Sequence, residues 1–403
     1  MKVNVRGHII DLLAFRGLPK KRSKRFAQSP AQPMPVHPVN QLAQQIHPAG
    51  LQLVVAETQD VTRTTKTFRL VADPDSNTRA LPPFRAGQYL SLKVDVNGAR
   101  ITRPYSISSA PFEALGPIGN YEITIRKAEN GFLTPHIWRN WKVGTKVESS
   151  APLGFFYQEP LRDANKIVGL AGGSGITPFR SMAREIAFGD LDAELLLLYG
   201  SSDEEDIVFH DEFKGLEAKC PGKIHVVHVL SCDEVSLEGC EQGFITAEII
   251  QKYADVENAS FFVCGPQVMY TFVEGELAKL HLPHRRVRWE ANGEVKDIVR
   301  HAGFPAQAAG KMFQVKVRIG GATATIPAQA TETVLVAMER ANLAPPSQCR
   351  SGECGFCRSL LLSGDVFVVP DSDRRRAADK ELGYIHPCSS YPLSNLELKV
   401  PRE

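Results

Sequence analysis

The sequence predicts a multidomain chain. An antiparallel β-barrel is followed by an α/β domain with a parallel sheet and then by a small α+β domain. Three observations predict it. Residues 49–160 hold many short β-patterned runs punctuated by Gly, Pro and Asn. Residues 161–300 alternate compact apolar runs with helical patterns. After an Ala/Gly/Pro-rich stretch at 301–312, residues 313–403 form a further unit. A chain of 403 residues has room for about two to four ordinary domains. Its 43% hydrophobic and 23% charged content is a globular balance.

Charge excludes one class of partner and locates an asymmetry. The formal net charge is only +2, which gives the whole chain no nucleic-acid-binding character. Residues 1–50 nevertheless carry eight Lys/Arg and one Asp. In the leader, residues 1–48, positions 8–15 fit a short amphipathic helix and Lys20-Lys-Arg-Ser-Lys-Arg25 is a basic cluster. The Pro/Gln-rich stretch that runs on to Pro48 reads as a flexible or extended linker. A helix with a basic cluster suits weak contact with an anionic membrane surface or an acidic partner. The plainer reading is a solvated tail, or a helix packed on the body. No run approaches the roughly 18 apolar residues that span a bilayer, and no secretory signal is seen, so a cytoplasmic address is expected.

In the first domain, residues 51–57, 65–71, 88–96, 121–127 and 146–150 read as strands, with turns at Asn97-Gly98 and Pro82-Pro83 and one helix near 135–141. In the second, strands are predicted at 166–171, 194–199, 224–230 and 260–264. Helices are predicted at 178–188, 211–219, 247–253 and 267–280.

The strongest chemical signal is Cys349-Arg-Ser-Gly-Glu-Cys354-Gly-Phe-Cys357, with Cys388 downstream. The Cys-x4-Cys-x2-Cys spacing matches the plant-type 2Fe-2S ligand pattern. Three thiolates must come from one tight loop, where Gly352 and Gly355 permit φ > 0, and backbone N–H groups there stabilise added negative charge. Zinc would favour paired knuckles, and no second knuckle occurs. The other four cysteines are scattered, and a disulfide framework is not expected in a cytoplasmic protein of this size.

Residues 313–403 resemble a plant-type ferredoxin domain, of β-grasp fold, although Arg374-Arg375-Arg376 is unlike the acidic surface of photosynthetic ferredoxins.

Two further motifs complete the pattern. Arg103-Pro-Tyr-Ser106 ends a predicted strand. Arg suits a diphosphate, Tyr offers a ring to lie against an isoalloxazine, and Ser offers a hydrogen bond to a flavin nitrogen. Gly131-Phe132-Leu-Thr134-Pro135 reads as a loop, an N-cap and a helix-starting proline, a good diphosphate seat. This region resembles the flavin domain of the ferredoxin–NADP+ reductase superfamily. The resemblance implies that Arg103, Tyr105 and Ser106 contact the flavin, with Ile123 and Ile125 alongside through their backbone. It also implies that Gly131, Phe132 and Thr134 hold its diphosphate. FMN serves one branch that has the same C-terminal domain; the capping Thr134 favours FAD.

The run Gly172-Gly173-Ser174-Gly175-Ile-Thr177-Pro178 follows a predicted strand and opens a helix, with Thr177 as N-cap. With Cys264-Gly265-Pro266, it is characteristic of the same superfamily. The resemblance implies that Cys264 and Thr177 lie where nicotinamide meets flavin. After the second strand of this domain, Gly200-Ser-Ser-Asp-Glu-Glu-Asp206 offers four carboxylates where a 2′-phosphate would want Arg, which favours NADH over NADPH. Glu290, at the end of the last strand of this domain, suits a proton relay at the flavin edge; a surface carboxylate is the equal alternative. Ser106, Cys264 and Glu290 are the candidate catalytic residues.

A nicotinamide delivers two electrons as hydride, an iron–sulfur cluster takes one, and a flavin does both. The order of units therefore implies an NADH-dependent reductase passing electrons through FAD and the 2Fe-2S cluster to an outside acceptor protein. The arrangement resembles reductase components of multi-component oxygenases and the reductase of hybrid-cluster protein. A respiratory-chain NADH dehydrogenase subunit and a redox-sensing regulatory module are the alternatives.

Overall fold

The computed structural model describes residues 9–29, 37–116, 119–129, 131–232, 237–290, 293–295 and 297–401, with residues 9–15 and 371 described by backbone alone. Residues 1–8 and 30–36 of the leader lie outside the described residues.

The described residues before position 46 form one compact unit by themselves. Helix α1 (Ile9–Ala27) continues through the basic cluster, with Pro19 inside it. Helix α2 (Pro38–Ile46) occupies part of the segment expected to be a linker. Proline composition misled there because Pro38 starts the helix and Pro48 follows its end, so neither breaks it.

Residues 46–403 form the second compact unit. Its first sheet is antiparallel: β1 (Leu51–Thr62), β2 (Thr65–Ala72), β3 (Tyr89–Val96), β4 (Ala99–Ser106), β5 (Asn120–Arg126) and β6 (Lys146–Ser149), in the order β4-β3-β6-β1-β2-β5. Alternate side chains Leu51, Leu53 and Val55 face the same core as Phe68, Leu70, Leu90 and Leu92. Asn97 and Gly98 both take positive φ (52° and 82°), the backbone of a two-residue hairpin, and so create β4. The two edge strands of the expected barrel meet through one bridge, Ile107 with Ile123, rather than along a ladder. Helix α3 (Thr134–Asn140) precedes β6.

The second sheet is parallel throughout: β7 (Lys166–Gly172), β8 (Glu194–Ser201), β9 (Ile224–Leu230), β10 (Glu241–Gln242), β11 (Ala259–Cys264) and β12 (Val287–Trp289), in the order β10-β9-β8-β7-β11-β12. Helices α4 (Thr177–Phe188), α5 (His210–Lys219), α6 (Ala247–Tyr253) and α7 (Gln267–Lys279) connect the strands. Separate apolar clusters, one around Phe179 and Phe213 and the other around Phe261 and Val273, cover the two faces. That double burial explains the near-continuous apolar strands. The chain winds outward from β7 through β8 and β9, then returns to place β11 on the other side of β7. The carboxyl ends of β7 and β11 thus flank a topological switch point, where open α/β sheets bind ligands.

The third sheet is mixed, in the order β14-β13-β19-β15-β17: β13 (Met312–Ile319), β14 (Ala322–Gln329), β15 (Ser359–Ser363), β17 (Tyr384–Ile385) and β19 (Leu396–Val400). The short strands β16 (Val366–Phe367) and β18 (Tyr391–Pro392) pair separately. Helix α8 (Val334–Arg340) begins at Thr333, whose Oγ1 accepts from the N–H of Val336 at 3.3 Å. Helix α9 (Ala377–Glu381) precedes β17.

The expected linker at 301–312 is packed. Phe304 and Ala308 join Ile298, Ala330, Val369 and Tyr391 in a small core, and the Phe304 ring meets Phe367 edge to face at 5.4 Å. Its Ala/Gly/Pro content concealed a single aromatic anchor.

Candidate redox site

Four thiols converge in the third domain. Cys349, Cys354 and Cys357 lie on the loop after α8, and Cys388 arrives on a short turn, Pro387–Ser389. Sγ of Cys357 and Sγ of Cys388 are 3.4 Å apart, and none of the four cysteines is in a disulfide. Backbone N–H groups point at the sulfurs: Gly352 at Cys388 (3.2 Å), Cys354 at Cys349 (3.4 Å) and Phe356 at Cys354 (3.4 Å). Gly352 has φ +80°, and a β-carbon there would fall 2.7 Å from Ser389 Oγ, so only glycine turns this N–H inward. His386 fixes the same turn through Nδ1 and the Gly352 carbonyl at 2.6 Å.

Charge supports an iron–sulfur group here. Hydrogen bonds from the Cys354 and Cys388 thiols hold Cys349 far below the usual thiol range. The partnership with Cys349 pushes Cys354 and Cys388 up. Sulfurs this close suit ligation of a positive centre, which the iron atoms of a cluster supply.

Arg103, Tyr105 and Ser106 close β4, opposite Leu92, Leu90 and Tyr89 of β3. Alternation puts Arg103 and Tyr105 half-buried on one face and Ser106 buried on the other. Ile123 and Ile125 are core residues of β5, and the Ile125 carbonyl accepts from Trp138 Nε1 at 3.3 Å. Gly131 and the exposed Phe132 lie on the loop before α3. Thr134 is not the cap of that helix. It is its first residue, the preceding Leu133 is already helical, and Thr134 Oγ1 accepts from the N–H of Ala128 at 3.0 Å. The hydroxyl closes the loop and is not spent on the helix end.

At the switch point, β7 ends in Gly172, and a 3₁₀ turn, Gly173–Ile176, runs straight into α4. Thr177 is therefore inside the helix rather than capping it, and its hydroxyl donates to the Ser174 carbonyl at 3.1 Å. Pro178 follows as the second helical residue. The start of the helical N–H array moves back onto the glycine turn. A β-carbon on Gly175 would fall 2.2 Å from the Cys264 carbonyl oxygen, so this turn and the end of β11 are in backbone contact. Cys264 is buried, and Gly265 and Pro266 lead into α7.

A cavity of about 510 Å³ opens beside these turns, lined in part by Gly172, Gly173, Ser202, Asp206, Pro266 and Phe272. Arg126, at the end of β5, also lines it and pairs with Asp206. Sequence reasoning missed Arg126, although it directly follows Ile125 on a strand already singled out. Of the four carboxylates expected here, only Asp206 lines the cavity. Asp203 accepts from the Asp206 N–H, Glu204 accepts from the Leu237 N–H, and Glu205 pairs with Arg63 on the surface.

Glu290 is not a surface charge. It follows β12, donates its N–H to the Val263 carbonyl at 3.0 Å and is buried. Burial, with Glu353 and Cys349 nearby, pushes its carboxyl well above the usual range. A cavity of about 240 Å³ brings Glu290 together with Glu353 of the cluster loop, Arg288 and Arg374.

The chain was compared with known proteins. Residues 52–157 match the oxidoreductase FAD-binding domain, residues 170–275 the oxidoreductase NAD-binding domain, and residues 317–393 the 2Fe-2S iron-sulfur cluster binding domain. The structure of phthalate dioxygenase reductase superposes with a TM-score of 0.61 at 26% identity, covering 88% of this chain and 98% of that one. The chain is a ferredoxin reductase-like protein with a 2Fe-2S domain. The ferredoxin reductase component of 3-ketosteroid-9-alpha-monooxygenase from Mycobacterium tuberculosis is 28% identical, over 86% of this chain and 94% of its own. The glycine betaine monooxygenase reductase subunit of Chromohalobacter salexigens is 24% identical, over 86% and 93%. NADH oxidoreductase HCR of Escherichia coli is 27% identical, over 78% and 89%. As a member of this family the chain is an oxidoreductase whose flavin, nicotinamide and iron–sulfur domains correspond to the three sheets. No helix among the described residues is long and apolar enough to cross a membrane.

Proposed function

We propose that this chain oxidises NADH, carries FAD, and delivers single electrons from its 2Fe-2S cluster to a partner oxygenase. The observation that carries this reading is the meeting of Glu290, from the nicotinamide domain, with Glu353 of the cluster loop at one cavity. The flavin, when bound, accepts hydride and releases electrons singly.

The chain's own groups have the following roles in this reading. Residues 49–160 hold the flavin, 161–300 the nucleotide and 313–403 the cluster. Arg103, Tyr105 and Ser106 orient the flavin, with Ile123 and Ile125 behind it, while Gly131, Phe132 and Thr134 form the wall of the diphosphate loop. Gly172, Gly173, Ser174, Gly175, Thr177 and Pro178 seat the nucleotide against Gly265 and Pro266, with Cys264 at the meeting point. Glu290 keeps a proton in its buried carboxyl and lends it to the site. Cys349, Cys354, Cys357 and Cys388 hold the cluster. With Thr134 spent on its loop, FAD over FMN is supported by the matched family and no longer by helix capping. NADH over NADPH is supported by Asp206, a carboxylate in the cavity wall that can accept a ribose hydroxyl, although Arg126 beside it offsets its charge. The oxygenase partner is supported by the two monooxygenase reductase relatives.

The test is direct. Purified protein should carry flavin, iron and acid-labile sulfide, and should turn over NADH at least roughly tenfold faster than NADPH. Asp206→Ser should narrow that ratio. Colourless protein, or a preference for NADPH, would overturn the reading.

A further inference from the structure

Arg103 is engaged by the cluster domain. Its Nη1 lies 3.3 Å from Oε2 of Glu339, a residue of α8. The other carboxylate oxygen, Oε1, accepts from Nη1 of Arg350 at 2.6 Å and from the backbone N–H of Thr102 at 3.4 Å. Arg350 directly follows the ligand Cys349, and its Nη2 meets Glu294, on the segment that leaves the nicotinamide domain. Charges therefore alternate along Arg103, Glu339, Arg350 and Glu294. The two central side chains are nearly withdrawn from water, 6% exposed for Glu339 and 1% for Arg350.

Adhesion alone does not account for this chain. Apolar side chains of the same volume would hold two domains together at least as well, because a buried ion pair must recover its desolvation cost. Charged hydrogen bonds add direction, and so fix placement. Arg350 also takes φ +58°, a left-handed backbone that is unfavourable for a side-chain-bearing residue. The loop accepts that cost with its guanidinium held between Glu339 and Glu294.

We propose that Glu339 is a positioning residue that registers the cluster loop against flavin strand β4. It is none of the four cysteines and none of the residues assigned to the flavin. It acts through Arg103 and Thr102 on one side and Arg350 on the other. The inference rests on the proposed role of Arg103 and its neighbours as flavin contacts.

The experiment uses the full chain and compares Glu339→Gln, which keeps shape and removes charge, with Glu339→Asp, which keeps charge. The first readout is hydrogen exchange, independent of turnover. In Glu339→Gln, the Thr102 amide and the loop from Cys349 to Cys357 should exchange faster, with Glu339→Asp intermediate. The second is stopped-flow absorbance. Flavin bleaching by NADH should stay within twofold of wild type, while cluster bleaching slows by more than that margin, because electron transfer falls off with the separation of the two carriers. Unchanged exchange with cluster bleaching that keeps pace would overturn the proposal. So would loss of bound flavin from Glu339→Gln, which would make Glu339 part of the flavin seat. If Glu339→Gln does not fold, the same comparisons are read on Glu339→Asp. A wild-type protein without flavin would sink the functional reading, whereas the Thr102 exchange would still judge the clamp.

Discussion

Arg180, in α4 of the nicotinamide domain, donates through Nη1 to Glu122 on flavin strand β5 at 2.7 Å, and each side chain is only 8% exposed. The same nitrogen reaches the Ser108 carbonyl, and Nε meets Glu212. Beside it, Ser181 Oγ donates to the Ser109 carbonyl at 2.6 Å. These bonds fix the two nucleotide-binding domains to one another.

Arg180→Leu should therefore be costly, by up to about 3–5 kcal/mol, because the buried Glu122 loses its buried partner and keeps only the half-exposed Arg69. The double variant Arg180→Leu/Glu122→Leu should recover part of that loss. Urea denaturation of the single and double variants checks both. Burial alone would raise the Glu122 carboxyl; Arg180, together with Arg69, brings it below the usual range. A carboxylate depressed by folding stabilises above its unfolded pKa and loses that contribution as pH falls through the folded value.

His228 predicts a second pH dependence. Burial, with His210 at a ring distance of 5.0 Å, lowers its pKa to about 4. Between the unfolded value near 6.5 and the folded value, the unfolded chain binds more protons, so stability falls as pH falls. His228→Phe should flatten the stability profile from pH 6.5 to 4. The gain at the acid end should be at most about 3 kcal/mol, reduced by solvent screening. Thermal melts across that range measure it.

Gly175→Ala should force apart the contact between the β7 turn and the Cys264 carbonyl. The expected outcome is a fall of roughly tenfold or more in kcat/KM for NADH with flavin and iron contents unchanged, since the turn must move to admit the methyl group. Steady-state kinetics beside cofactor analysis decide it.

Cys388→Ser should remove iron, labile sulfide and the cluster's visible absorption while leaving bound flavin, because the sulfur that accepts from Gly352 is lost. Cys220→Ser, at a partly buried position outside the cluster loop, should leave all three unchanged.

Residue pattern revealed what depends on period and spacing. The parallel strands were legible because burial on both faces makes them continuously apolar, and the cysteine loop because its ligands are local. What escaped depends on contacts distant in sequence or on the fine geometry of helix starts. Thr134 and Thr177 look like caps in one dimension, yet a helical Leu133 and a 3₁₀ turn displace both helix starts. Arg126 and Asp206 lie 80 positions apart and meet at the cavity only through the fold. Glu290 was as readable as a surface charge as a buried acid, because nothing local reveals that the cluster loop stands over it.

The packed segment around Phe304 changes where the protein is best divided. Val295 accepts from the Tyr391 hydroxyl at 2.8 Å, and Ile298, Phe304 and Ala308 supply one wall of that small core. A ferredoxin fragment begun at Met312 would therefore leave Tyr391 and Val369 bare and should be sticky in solution. One begun a few positions before Val295 carries its own collar.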